Sequence, residues 1–256
     1  MEQTILLSSG QHHIPCKITQ PDNHAVTQVV LGVHGIGGSY QDVIQESLAE
    51  EMSLYLGATV QFDFPAHGKN EEKELTLEGC QDTLLAVAQF AKKQFPEVSD
   101  LCIFATGFGA YVTLTVLEAL MQLPGHIRLV VQTPGVRMHE TILNMMRKSR
   151  QTFRAMDEHI LRAPRPIRIT YDFYRELEQN IVLATQPIPM LILHGEEDGY
   201  IRQEDIRNFR RINEGSKLVI VPGTSHQFQE EGAWDMVLDL TRDWFTFQQV
   251  LLCDWE

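Results

Sequence analysis

The chain has 256 residues, a hydrophobic content of 43%, a charged content of 21% and a net charge of −13. Such a length fits one large α/β domain and can bury a substantial core. The acidic balance argues against nucleic acid, whose binding needs Lys and Arg to neutralise phosphates, and against an anionic membrane surface.

Taken in order, residues 4–8 and 14–19 read as short strands joined through Gly10, an N-terminal hairpin. His12 and His13 sit at its turn, but adjacent strand residues point to opposite faces, so the pair does not make a metal site. Residues 29–33 form the first buried strand. It runs into His34-Gly35-Ile36-Gly37-Gly38-Ser39, a glycine-rich turn before a helical pattern over 43–56. The next strand, 59–64, ends in Asp63-Phe64-Pro65-Ala66-His67-Gly68, and a long amphipathic helix follows over 77–95.

A short apolar strand at 101–104 stops at small residues, and a helical run over 111–120 follows at once. Residues 127–132, 189–193 and 217–221 are further buried strands, with a helix at 203–212 between the last two and a final helix over about 230–249. In that last helix Trp234, Val237, Leu238, Thr241 and Phe245 recur at helical spacing and read as core. Buried strands alternating with helices make an α/β fold, a mostly parallel sheet with helices on both faces. The alternation breaks only over 136–186, which reads as a helical insertion capping a single domain that spans the whole chain. The stretch 135–186 holds nine Lys and Arg against six Asp and Glu, leaving 12 against 28 elsewhere. That basic segment reads as the solvated faces of helices, with attraction of an acidic ligand as the alternative.

The four cysteines, Cys16, Cys80, Cys102 and Cys253, form no Cys-x-x-Cys pair, and Cys102 reads as a buried, inert thiol. No apolar run approaches the ~20 residues of a membrane span. The N-terminus has no basic region followed by an apolar one. A cytoplasmic location is the expectation.

The strand, turn and helix around residue 107 have the setting of a nucleophile elbow, small-x-nucleophile-x-small. The pattern reads Ala105-Thr106-Gly107-Phe108-Gly109, so the attacking position holds a glycine. Two later strand ends present an acid, in His194-Gly195-Glu196-Glu197-Asp198, and a histidine, in Gly223-Thr224-Ser225-His226. Because the carboxyl ends of parallel strands gather at one sheet edge, Gly107, Asp198 and His226 are expected to converge there.

In that chain order the three positions resemble the serine esterase and lipase type of the α/β-hydrolase superfamily, and the likeness covers nearly the whole length. The turn 34–38 resembles the family's oxyanion loop, 62–68 its second marker turn and 136–186 its cap. The chain is similar in outline to small cinnamoyl or feruloyl esterases and to monoacylglycerol-lipase-like enzymes. The resemblance implies that His226 moves the proton and Asp198 holds its tautomer. It also implies that the backbone N–H groups of Ile36 and Phe108 form the oxyanion hole. His34, Asp63 and His67 are expected to bond loops together.

The departure is Gly107, which offers only hydrogen where the family needs a nucleophile. Its flanks, Ala105 and Thr106, depart from common usage too, which points to drift rather than to one engineered change. The N-myc downstream-regulated proteins resemble this elbow in carrying Gly-x-Gly-Ala-Tyr. Thr106 should point away from the pocket, Ser39 should cap the next helix and Ser225 should be a loop residue, so none replaces the serine. Two readings stay open. One is a hydrolase of carboxylic esters, acting weakly through a water activated by His226 and Asp198, or fully before a change of serine to glycine at 107. The other is a catalytically inactive protein binding a small acyl or aromatic ligand under the cap. Neither needs a metal or organic cofactor, and the expected partner is a small-molecule ester or acyl ligand.

Overall fold

The computed structural model describes residues 1–10, 12–22, 24–55, 57–162 and 164–247; Leu56, Gln248, Gln249, Cys253 and the side chain of His12 lie outside the described residues. The chain opens with β1 (Glu2–Ser9) and β2 (His12–Thr19), paired antiparallel around Gly10. Then come β3 (Gln28–Val33), α1 (Val43–Leu54), β4 (Gly57–Phe62), α2 (Leu77–Gln94) and β5 (Leu101–Thr106). The helical run after β5 starts at Gly107, earlier than the apolar pattern suggests, and Val116 breaks it into α3 (Gly107–Thr115) and α4 (Leu117–Leu120). β6 (Ile127–Gln132) follows.

The insertion comprises α5 (Met138–Met146), α6 (Arg150–Met156), β7 (Glu158–Leu161), β8 (Ile167–Thr170) and α7 (Tyr171–Gln179). It is mainly helical, but β7 and β8 form an antiparallel ribbon that the sequence reading did not anticipate. Strands of four residues bounded by prolines carry too little periodicity to be distinguished from loop. The chain closes with β9 (Met190–Gly195), α8 (Gln203–Ile212), β10 (Lys217–Val221) and α9 (Ala233–Phe247).

Eight strands form one sheet in the order β1-β2-β4-β3-β5-β6-β9-β10, parallel from β4 to β10 and antiparallel at the β1–β2 edge. Strand alternation divides its apolar side chains between two cores. In β5, Leu101, Ile103 and Ala105 face the layer of α2 and α3, whereas Cys102 and Phe104 face the layer of α1 and α9. The second layer is closed by Leu48, Met52, Val237, Trp244 and Phe245. Burial pushes the Cys16, Cys80 and Cys102 thiols well above the usual thiol range, so all three are inert. Thr76 caps α2 by accepting from the Gly79 N–H at 3.0 Å.

Several polar contacts tie the insertion to the sheet domain. The Leu77 N–H donates to Glu176 Oε2 at 2.7 Å, and the Tyr111 hydroxyl donates to the Asn180 carbonyl at 2.8 Å. Arg165 pairs with Asp42 at 2.6 Å, beside the glycine-rich turn. No helix among the described residues is long and apolar enough to cross a membrane.

Candidate active site

β5 delivers the chain to Gly107 at φ +49, a left-handed turn that glycine adopts without penalty. A Cβ built there would meet only Gly35 Cα at 3.9 Å and His226 Nε2 at 4.0 Å, which are ordinary van der Waals separations. The backbone therefore keeps a tight elbow with room for a side chain facing His226. Gly109 serves a different need: a Cβ on it would lie 2.3 Å from the His34 carbonyl oxygen, so only glycine lets α3 start this close to β3.

Asp198 and His226 come from the loops after β9 and β10. Gly195 lets those loops touch, since a Cβ there would lie 2.4 Å from the Thr224 carbonyl oxygen. His226 Nδ1 donates to Asp198 Oδ2 at 2.7 Å, because an ionised carboxylate can only accept. That bond sets the tautomer and leaves the Nε2 lone pair toward Gly107. The Asp198 side chain is 1% exposed against 18% for that of His226. Burial raises the carboxyl's pKa, but the His226 hydrogen bond and charge, with the Tyr200 and Ile201 N–H groups at 2.8 and 3.0 Å on Oδ1, outweigh it and hold the group below its ordinary value. Tyr200 packs edge-on against the imidazole, with ring centroids 5.2 Å apart.

The turn after β3 is held by a network of loop contacts. His34 Nδ1 donates to the Gly35 carbonyl at 2.8 Å and Nε2 accepts from the Phe64 N–H at 3.2 Å. Asp63 accepts from the N–H groups of Tyr40 and Lys69 at 2.8 and 2.7 Å, and His67 Nδ1 donates to the Pro65 carbonyl at 2.8 Å. Burial drives the pKa of His34 to about 4 and of His67 to about 3, so both rings are neutral near pH 7. These three side chains bond loops, as the sequence reading expects. Ser39 does not cap α1: Asp42 occupies that position, and its Oδ2 accepts from the Ser39 N–H at 2.8 Å while Ser39 Oγ accepts from the Gln41 N–H.

Gly107 and His226 open onto a cavity of about 450 Å³, lined on its apolar walls by Ile36, Phe108, Met138, Met145 and Trp234. Phe108 lies in the first turn of α3, whose leading N–H groups have no partner within the helix. Ile36 borders the same space from the glycine-rich turn. Thr106 also borders it, although its hydroxyl is turned back to the Val33 carbonyl at 3.5 Å. The Ser225 N–H bonds Glu230 Oε1, as a loop residue would.

Several residues here were not assigned to the site by the sequence reading. Trp234, expected in the core, is half-buried, packs on Phe228 and faces the cavity. Gln132, ending β6, is 2% exposed, borders the cavity and leaves Oε1 without a partner. His194 in β9 is 1% exposed with neither ring nitrogen bonded, and Nδ1 lies 3.8 Å from Asp198 Oδ2. Burial lowers its pKa to about 4. A polar residue closing an apolar strand was the available signal for Gln132 and His194.

No protein-family model and no curated protein sequence matches the chain. Solved structures do. Est1E from Butyrivibrio proteoclasticus with ferulic acid bound is 19% identical and superposes with a TM-score of 0.77 over 97% of this chain and 100% of its own. Alpha/beta hydrolase domain-containing protein 10 from mouse is 14% identical, with a TM-score of 0.78 over 96% of this chain and 100% of that one. XC6422 from Xanthomonas campestris, a serine hydrolase without a lid, is 18% identical, with a TM-score of 0.64 over 99% and 97%. At these identities the likeness is one of fold, and the chain has the α/β-hydrolase fold.

Proposed function

We propose that the cavity beside Gly107 is an acyl-ester site at which His226 and Asp198 activate a water in place of the missing serine. The observation that carries this reading is the 2.7 Å bond between His226 Nδ1 and Asp198 Oδ2, with Nε2 facing the room left at position 107. Water in that room donates a proton to Nε2, and its oxygen attacks the ester carbonyl carbon. Asp198 stabilises the imidazolium that forms. The negative charge moves to the carbonyl oxygen, where the N–H groups of Ile36 and Phe108 receive it. Collapse breaks the acyl C–O bond, and the imidazolium returns its proton to the departing alcohol. The insertion 136–186 acts as the cap, since Met138 and Met145 of α5 wall the cavity.

Est1E, similar in fold, holds ferulic acid, which favours an aromatic acyl group for a cavity walled by Phe108 and Trp234. The absence of a side chain at Gly107 favours the second reading, a protein that binds such a ligand without turnover. Hydrolysis of p-nitrophenyl butyrate by the chain and by His226→Ala separates the two. Slow turnover that disappears in the variant supports the water route. No turnover, together with saturable ferulate binding, identifies a binding protein.

A further inference from the structure

His226 borders two chambers that differ in charge. One is the apolar cavity of about 450 Å³. The other is an open groove of about 900 Å³ between the end of α5 and the loops after β9 and β10, bordered by Asn144, Arg147, Lys148, Tyr200, Arg202 and His226. The groove's border includes three cations and no carboxylate. The charge of Arg202 is taken up by Glu140 at 3.0 Å and Asp205 at 2.8 Å. Arg147 and Lys148 are exposed, and neither has an ion-pair partner among the described residues. Arg147 also sits at φ +52 where α5 ends, a position that glycine takes most easily. The helix dipole accounts for one cation at that end. It does not account for two adjacent unpaired ones on a chain of net charge −13.

We propose that this groove seats an anionic group, carboxylate or phosphate, carried on the alcohol portion of an acyl ester whose acyl arm fills the apolar cavity. The proposal rests on the ester-site reading above and names its substrate class. His226 assigns the two arms. The N–H groups that would hold the carbonyl oxygen, from Ile36 and Phe108, border the apolar cavity. The imidazole that protonates the leaving alcohol borders the basic groove as well. Hydrolysis adds water across the acyl C–O bond and releases a carboxylic acid and an anionic alcohol. A positive groove on an acidic body also draws such an ester in ahead of neutral ones.

Ethers, which cannot be hydrolysed, test the groove independently of turnover. Para-hexyloxybenzoate, para-hexyloxyphenylphosphonate and the neutral para-hexyloxybenzamide are titrated calorimetrically into the chain and into the double variant Arg147→Asn, Lys148→Gln. Asparagine tolerates the left-handed backbone at position 147. At low salt the two anions are expected to bind about tenfold tighter than the amide. The advantage should vanish in the double variant and in high salt; the tighter anion identifies the group. Equal binding of amide and anions, or an anion preference that survives in the variant, overturns the groove assignment and leaves the cavity reading standing. Failure of all three to bind, the neutral one included, overturns both.

Discussion

Gly107→Ser is expected to raise ester hydrolysis by about 10³-fold or more, at a small cost in thermal stability. The Cβ of the new side chain would sit 4.0 Å from His226 Nε2 and 3.9 Å from Gly35 Cα, displacing nothing. A hydroxyl roughly 1.4 Å beyond that Cβ comes within hydrogen-bonding distance of Nε2 without any movement of the imidazole. The backbone at φ +49 resists an L-residue, which costs about 1–2 kcal/mol. In a domain of this size that lowers Tm by about 2–8 °C. Against this, removing the serine from an intact triad costs ~10⁶ in rate, so restoring it recovers a large part of that factor. The assay is p-nitrophenyl butyrate hydrolysis by parent and variant, with fluorophosphonate labelling located at position 107 by mass spectrometry. A folded variant that matches the parent rate and takes no label would refute the reasoning, because room, dyad and backbone donors would then not compose a working frame.

Three further outcomes are expected. In the Gly107→Ser background, Asp198→Asn should lower kcat by ~10⁴, because the amide can donate to Nδ1 and reverse the imidazole tautomer; a loss under tenfold contradicts the role given to Asp198. Gly109→Ala should destabilise the fold by about 1–3 kcal/mol, its Cβ meeting the His34 carbonyl at 2.3 Å, and an unchanged urea midpoint would show that α3 can retreat. Stability should also fall on acidification. His34, His67 and His194 have folded pKa values of about 4, about 3 and about 4, below the unfolded value near 6.5. The unfolded chain therefore binds protons that the folded chain refuses. The stability is complete above pH ~6.5 and drains as pH falls toward ~4, by roughly 1.4 kcal/mol per unit for each histidine once titrating. Urea midpoints that stay flat between neutral pH and pH ~5 would contradict the burial of these rings.

The architecture was legible in the sequence because its signals are local. The runs at the centres of β3, β5 and β9 are continuously apolar, as strands covered on both faces are, and β6 is so over residues 129–131. Parallel strands bring their carboxyl ends to one edge, so the meeting of Gly107, Asp198 and His226 followed from topology. The loop-bonding parts of His34, Asp63 and His67 were readable for the same reason. The β7–β8 ribbon was not, since four-residue strands have almost no period to detect. Neither was the start of α1, where the loop places Asp42, not Ser39, at the N-cap position, its side chain bonding the Ser39 N–H rather than the helix.

The chain's order of residues thus determined the fold, the glycine at the turn after β5 and the pairing of Asp198 with His226. Tertiary structure alone decided what surrounds them. Trp234 has the spacing of a core residue, yet it is only half-buried and borders the cavity, because burial depends on what the neighbouring loops leave uncovered. The separation of an apolar chamber from a basic groove at His226 likewise joins α5 to loops more than fifty residues away. Periodicity reports which face of an element is apolar; only packing sets which of those faces meets a void.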